Sequence, residues 1–322
     1  MRIATPTLPK AVLRAWTPLL TAAVIVAVSV AVAPDVTAQQ NFDAVQVEVK
    51  PIQGNVYMLV GAGGNVTVQT GSDGVLVVDT QFAPMAPKLL AAIRKLSDKP
   101  IRYIINTHVH GDHSGGNEAL AKADGATIIG HENILKVMSA PRDGSTDDRF
   151  RQPKGAWPTQ TFTDRKTITF NGEEIELIHI PTAHSTGDTL VHFKGSHVIS
   201  GGDVFAITRY PIVDFDGGGR ISGMIEGLNR IAALANATSG QGRTYVVPGH
   251  GRLCDQDDVV SYRNMAIVLR DRVQDSIGRG LTLEQVKAAK PSRDYDPLYG
   301  AASGLAATDS FIEDVYQSLK AK

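Results

Sequence analysis

Three histidines and one aspartate occupy a six-residue stretch that directly follows a short apolar run. The run, Ile101 to Ile105, is β-branched and aromatic, which predicts a strand. The polar segment after it reads Thr-His-Val-His-Gly-Asp-His-Ser-Gly-Gly over residues 107–116. A strand that ends in a polar loop is where α/β proteins usually place their chemistry, because the strand fixes the loop while the loop stays open. The stretch therefore indicates a functional site on an α/β fold.

The spacing within this stretch predicts which side chains can share an ion. His108 and His110 lie two positions apart, so both project to the same side of an extended backbone. Asp112 and His113 come after Gly111, whose conformational freedom permits a turn that directs them to a second ion. Neutral imidazole and carboxylate are ligands for zinc, and also for iron or manganese. A metal site is therefore the favoured interpretation over a polar loop without one.

Four further segments repeat the pattern of an apolar strand that ends at a histidine or an acid among small residues. The end residues are Asp79, His184, Asp203 and His250. Together with the 107–116 cluster, and in the same chain order, they resemble the motifs of the metallo-β-lactamase superfamily. The resemblance covers roughly residues 45–253. It implies the α/β fold of that family, an αββα four-layer sandwich, with a metal centre.

The resemblance also implies two cation sites that share one carboxylate. The ligands of the first would be His108, His110 and His184. The ligands of the second would be Asp112, His113 and His250. Asp203 would bridge the two, and Asp112 or Asp203 would orient the nucleophile and relay a proton.

The implied cofactor is a pair of Zn²⁺ ions, with iron or manganese as alternatives. Such a pair lowers the pKa of a shared water from about 15.7 towards about 7. The expected protein is a zinc-dependent hydrolase whose metal-bridging hydroxide cleaves a carbonyl ester, thioester or amide of a small molecule, β-lactams included. Gly201-Gly202-Asp203 looks more like the bridging aspartate of glyoxalase-II-type thioesterases than that of true β-lactamases. No basic cluster of the kind that glyoxalase II uses for glutathione is evident.

Two alternatives use the same scaffold. One is a sulfur dioxygenase, in which two histidines and one aspartate hold a single iron. The other is a non-catalytic metal-binding protein, which would take up metal and hydrolyse nothing. Metal analysis and a panel of hydrolysable substrates distinguish all three.

Several residues carry two interpretations. Asp79 either orients a ligand from outside the metal shell or caps a helix or turn. Tyr210, in the loop after Asp203, could touch substrate or belong to a connection leading to the next helix. His131 is interpreted as structural, and Asp188 as a brace of the His184 loop.

Composition excludes few functions. Of the 322 residues, 43% are hydrophobic, which is ample for a large core, and the formal net charge of −1 gives no indication of nucleic-acid binding. The single cysteine, Cys254, rules out an intrachain disulfide. The oligomeric state is not predictable from these features.

The N-terminus has the features of a signal peptide over residues 1–38. Basic residues up to Arg14 precede an apolar run from Leu19 to Ala33, and Val36-Thr37-Ala38 offers a cleavage site. The run is short for a membrane span, so no stable anchor is expected after cleavage. We expect export across the inner membrane to the periplasm. Residues 39–322 would then form one hydrolase domain, extended by C-terminal helices from about residue 259.

Overall fold

Two β-sheets packed face to face organise the part of the chain that the structure describes, residues 41–140, 150–237, 242–304 and 306–321 of a computed structural model. The first sheet has strands in chain order β1 to β7. Their bounds are Glu48–Gln53, Val56–Val60, Val66–Gly71, Gly74–Val78, Ile101–Ile105, Thr127–His131 and Gln160–Phe162. Strands β1 to β4 pair antiparallel, and β4 to β7 pair parallel.

The second sheet has the order β12-β11-β10-β9-β8. The bounds of β8 to β12 are Arg165–Phe170, Glu173–His179, Thr189–Phe193, Val198–Ser200 and Tyr245–Val247. Strands β8 to β11 pair antiparallel, whereas β11 and β12 pair parallel.

Helices cover the outer faces of both sheets. The bounds of α1 to α9, over the described residues, are Ala86–Leu96, Gly111–Ser114, Asn117–Asp124, Glu132–Ser139, Ile221–Ala237, Gln256–Gly278, Leu283–Ala288, Asp296–Tyr299 and Thr308–Lys320. No helix among these residues combines the length and the apolar character that a membrane span needs. The predicted signal peptide, residues 1–38, lies outside the described residues and stays a prediction.

Three apolar cores separate four layers. The middle core lies between the sheets, the second joins the outer face of the first sheet to α1 and α3, and the third joins the second sheet to α5, α6 and α9. The layer order is thus α-β-β-α, and the predicted αββα sandwich is confirmed.

Strand β4 shows why the sheet is rigid where it meets the site. Leu76 and Val78 point into the core between the sheets, while Val75 and Val77 point to the helices, and all four are fully buried. Burying each such side chain stabilises the fold by about 1.5–3 kcal/mol. The strand leads directly into Asp79, so its end is held from both faces.

Candidate metal centre

The 107–116 segment leaves β5 and places its ligand candidates on two kinds of backbone. His108 follows the strand end, and His110 has extended backbone directly before helix α2. Asp112 and His113 lie on α2 itself, a single helical turn. His108 and His113 are buried, whereas the side chains of His110 and Asp112 are 16% and 25% exposed. The open side of the cluster is therefore formed by His110, Asp112 and also His250, whose side chain is 17% exposed.

The structure brings all seven predicted ligands together. Within the part of the chain that the structure describes, three groups have ligand atoms within 4.8 Å of one another. They are His108, His110 and His184; Asp112, His113 and His250; and His108, His113 and Asp203. We call the first two the first triad and the second triad, and they coincide with the two sites that the resemblance implied.

Ligand atoms face one another within each triad. In the first triad, His184 Nε2 lies 2.8 Å from His110 Nδ1. In the second, His250 Nε2 lies 3.1 Å from Asp112 Oδ2 and 3.3 Å from His113 Nε2. Each triad thus presents converging lone pairs or protons around one point.

Asp203 lies between the triads, in a turn after β11. Its Oδ1 is 3.2 Å from His113 Nε2 and 3.4 Å from His250 Nε2. Its Oδ2 is 3.8 Å from His184 Nε2. One carboxylate oxygen therefore faces each triad, which is the arrangement that a carboxylate shared by two cations requires.

The donor set fits divalent cations. His108 Nε2 is buried and has no hydrogen-bond partner among the described residues, although an unpaired buried polar atom is costly. The ring nitrogens of His110 and His184, and those of His113 and His250, face each other across short distances. A cation placed in each triad would satisfy these atoms at once, because imidazole nitrogen and carboxylate oxygen are ligands of zinc and related metals.

Asp79 orients the second triad from outside it. Its carboxylate accepts hydrogen bonds from Thr107 N at 2.8 Å and Thr107 Oγ1 at 2.6 Å, and lies 2.7 Å from His113 Nδ1. Its backbone has φ +64°, a left-handed conformation that aspartate and asparagine adopt more readily than most residues other than glycine. Helix α1 begins after Met85, so Asp79 caps no helix. Its contacts direct His113 Nε2 towards the triad.

A loop formed by residues 209–220 contacts three of the other ligands. Asp214 Oδ2 lies 3.0 Å from His110 Nε2, and the carbonyl of Ile212 lies 2.7 Å from His184 Nδ1. Arg209 Nη2 donates to Asp203 Oδ2 at 3.0 Å. Sequence reasoning missed Asp214 and Arg209. The only local signal was an acid in a glycine-rich loop, which does not reveal the histidine it will meet.

Tyr210 does not lie where a substrate contact needs it. Its side chain is fully buried and its hydroxyl donates to Asp296 Oδ1 at 2.8 Å. Its ring stacks on Phe311 with centroids 4.8 Å apart. The interpretation of Tyr210 as a substrate residue is therefore corrected, since packing against the C-terminal helices removes the side chain from the cleft.

Electrostatics keep most ligands in the form that binds metal. Burial, followed by the neighbouring histidines, lowers the pKa of His108 well below its usual value. Burial opposes ionisation of Asp203, but His250 and His113 hold its pKa well below the usual range. Burial would lower the pKa of His113, yet Asp203 and the other nearby carboxylates raise it well above normal. A cation held by the second triad would therefore have to displace the His113 proton.

The remaining histidines lie outside the cluster. His131 accepts a hydrogen bond from Asn133 N at the start of α4 and stacks on His179 with centroids 3.6 Å apart, which fits a structural role. Asp188 accepts from Ser185 N and Oγ and so braces the His184 loop.

An apolar wall adjoins the first triad. Phe150 stacks on His110 with ring centroids 4.6 Å apart, and it clusters with Val109, Ile134 and Met138. A narrow cleft runs between this wall and Asp214. The open side of the metal cluster thus meets apolar surface.

Comparison with known proteins agrees with the fold and the cluster, which together define a metal-binding α/β enzyme class. The sequence model of the metallo-β-lactamase superfamily matches residues 51–250, more than half of the chain. The chain belongs to the metallo-β-lactamase superfamily. This membership confirms the family resemblance that its motifs predicted.

Relatives with assigned activities differ in reaction. The chain is 30% identical over 169 residues to the 2,4-dinitroanisole O-demethylase subunit alpha of Nocardioides sp., covering 51% of this chain and 48% of that protein. It is 26% identical over 212 residues to the bovine acyl-coenzyme A thioesterase MBLAC2, covering 59% of this chain and 74% of the relative. It is 30% identical over 176 residues to a hydroxyacylglutathione hydrolase of Hyphomonas neptunium, covering 54% and 59%. The chain thus spans about half the length of the first of these relatives.

Solved structures share the fold at low identity. A metallo-β-lactamase from Pontibacter korlensis superposes with a TM-score of 0.54 at 18% identity, covering 68% of this chain and 99% of that chain. The sec-alkylsulfatase Pisa1 from Pseudomonas sp. superposes with a TM-score of 0.63 at 16% identity, covering 84% of this chain and 50% of that chain. Similarity at this level supports the fold and leaves the substrate open.

Proposed function

We propose that the protein is a zinc-dependent hydrolase of small carbonyl esters or thioesters. The observation that carries the proposal is Asp203, whose two oxygens face two separate triads of metal-ligand side chains. A non-catalytic cation site needs one such group. Two groups joined by a carboxylate are the arrangement used to hold a pair of cations for hydrolysis.

The protein's own residues have distinct roles in this proposal. The first triad offers three neutral imidazoles, and the second offers two imidazoles and the carboxylate of Asp112. When bound, a pair of divalent cations supplies a hydroxide nucleophile at neutral pH and polarises the substrate carbonyl. Asp112, one-quarter exposed at the open side, is positioned to accept the proton released there and pass it to solvent. Asp203, which has one carboxylate oxygen facing each triad, fixes the distance between the two triads.

The surroundings of the cluster favour an apolar acyl group in the substrate. Phe150, Ile134 and Val137 line the cleft beside the first triad, and charged side chains other than Asp214 do not line it within the described residues. The thioesterase and hydroxyacylglutathione hydrolase among the relatives cleave acyl compounds by name. Turnover of β-lactams is a further reaction to include in any test.

A hydrolysis panel on protein of measured metal content tests the proposal. The panel contains a cephalosporin, a lactone, an acyl thioester and a phosphodiester, and the expected result is thioester or lactone hydrolysis with close to two zinc ions per chain. His110→Ala should lose most activity and part of the zinc while remaining folded. His197→Asn is the control, because His197 lies outside the cluster at φ +51°, which asparagine tolerates. Full zinc and full turnover in His110→Ala would refute the assignment.

An iron-dependent sulfur dioxygenase is the second candidate. The group His108, His113 and Asp203 has the two-histidine, one-carboxylate composition of non-haem iron sites. A single iron held by these three residues would give no ligand role to the other four candidates, which are His110, Asp112, His184 and His250. Protein purified with one iron, consuming oxygen in the presence of a persulfide, would favour it over hydrolysis.

A further inference from the structure

We infer that the C-terminal segment, residues 281–304 and 306–320, positions the first triad. It does so through contacts with Tyr210, which is therefore a positioning residue. The inference rests on the proposed metal centre and adds a requirement that the centre's own residues do not reveal. The segment lies beyond residues 51–250, the part matched by the superfamily's sequence model.

The 209–220 loop is the link between the two. As described above, the loop contacts Asp203 through Arg209, His110 through Asp214, and His184 through the carbonyl of Ile212. The backbone N–H of Asp214 also donates to the carbonyl of His184 at 3.0 Å. The orientation of two first-triad rings and of the shared carboxylate therefore depends on where this loop lies.

The C-terminal segment holds the beginning of the loop through Tyr210. The tyrosine hydroxyl donates to Asp296 Oδ1 at 2.8 Å and lies 3.2 Å from the carbonyl of Ser292. Its backbone N–H donates to the carbonyl of Tyr299 at 3.2 Å. Its ring is stacked on Phe311 of α9 with an interplanar angle of 4°. Contacts from two successive elements, α8 and α9, thus converge on one loop residue.

The end of the loop is held by the same segment. The backbone N–H of Ile221, where α5 begins, donates to Ser318 Oγ of α9 at 2.9 Å. Between the two anchors the loop contains Gly217, Gly218 and Gly219, which add conformational freedom. Anchoring at both ends limits that freedom, so Asp214 and Ile212 stay within hydrogen-bond distance of their ligands.

The test compares two tyrosine-to-phenylalanine variants. Tyr210→Phe removes the hydroxyl bonds to Asp296 and Ser292 while keeping the stack on Phe311, so the fold should persist. Tyr316→Phe is the matched control, because its hydroxyl donates to the carbonyl of Leu281 in the same segment. Zn²⁺ affinity is measured by competition with a chromophoric chelator, and Co²⁺ spectra report ligand geometry.

The expected result is a roughly 3- to 10-fold weaker first-triad affinity in Tyr210→Phe, somewhat below the 10- to 100-fold cost of removing a partner that touches a ligand. The second-triad affinity and the Tyr316→Phe protein should stay within about twofold of the parent at similar melting temperatures. Asp296→Asn, which weakens the same hydroxyl bond, should repeat the Tyr210→Phe result.

Equal affinities in Tyr210→Phe, Tyr316→Phe and the parent would overturn the inference even if the parent binds two zinc ions and hydrolyses the thioester. A parent protein that binds no divalent metal would instead overturn the proposed function. The two failures are therefore told apart by the parent protein alone.

Discussion

The two triads are held in opposite ways. His113 of the second triad is oriented by Asp79, which lies 34 residues earlier at the end of the buried strand β4. His110 of the first triad is oriented by Asp214, which lies 104 residues later in a loop. His113 therefore inherits the rigidity of the central sheet, whereas His110 and His184 of the first triad depend on a loop and on the helices that anchor it.

This difference suggests a division of labour within one centre. Asp79 is buried at the end of a strand that is itself buried on both faces, which fits a permanent feature of the fold. The Asp214 brace borders the cleft, beside the wall that contains Phe150. Changes in the loop can thus alter the first triad and the substrate surface together, and they reach the second triad only through the shared Asp203.

The first prediction has the largest expected effect, because it changes Asp203, the residue that faces both triads. Asp203→Asn keeps the size of the side chain but removes the charge that faces both groups. We expect loss of both zinc ions and a more than about 100-fold fall in hydrolysis, beyond the usual cost of losing an outer partner. Metal analysis and steady-state kinetics measure the change. Asp216→Asn, an exposed acid nearby, is the control, and an Asp203→Asn protein that retains two zinc ions would contradict the bridging role.

The second prediction concerns the second triad, whose His113 is oriented by Asp79. Asp79→Asn tolerates φ +64° but no longer offers His113 a charged acceptor. Second-triad zinc affinity should fall about 10- to 100-fold. The first triad should lose less, because Asp79 reaches its His108 only through the hydroxyl of Thr107. Calorimetric titration with Zn²⁺ resolves the two affinities. Asp73→Asn serves as a surface control, and equal losses at both triads would show that the braces are not separate.

The ligands themselves were predictable from sequence, because each is delivered by local structure. His108, His184, Asp203 and His250 each follow their own strand, so the pattern of an apolar run and a polar end located them. The strand ends then had to meet at one edge of the sandwich. The αββα fold follows from the same local signals, since β4 is apolar on both faces.

The braces were not predictable, because they depend on tertiary packing. Nothing adjacent to Asp214 or Arg209 indicates that the loop will fold back onto His110 and Asp203. Tyr210 illustrates the same limit, since an aromatic residue in a polar loop resembles a substrate contact until Phe311 is known to lie against it.

The third prediction concerns the first triad, whose His110 is oriented by Asp214. Asp214→Asn retains the loop but replaces the carboxylate that faces His110 Nε2. First-triad zinc affinity should fall about 10-fold, at the lower end for such partners, because the stack of His110 on Phe150 continues to restrain the ring. The same titration is used, with Asp216→Asn as control. A larger loss here than in Asp79→Asn would reverse the proposed order of rigidity.

The fourth prediction has the smallest expected effect. It concerns the pH dependence of stability and of the first triad. Asp314 of α9 is partly buried, and burial, followed by Glu313, Asp214 and Asp216, raises its pKa to about 7, with Lys287 opposing. Between the unfolded value near 4 and about pH 7, the folded protein retains a proton that the unfolded chain releases. Stability should therefore decline as pH rises through this range and level off above it.

Asp314→Asn removes that decline. The variant should match the parent near pH 4 and be more stable by about 1–2 kcal/mol at pH 8, a value reduced for solvent screening of a partly exposed group. Urea unfolding of both metal-free proteins at several pH values measures the difference. A gain that is constant with pH would show that Asp314 does not titrate in this range. The charge of Asp314 also acts on Asp214. The same pH range should therefore change first-triad zinc affinity more in the parent than in the variant. An equal change in second-triad affinity would show that the two triads are not held separately.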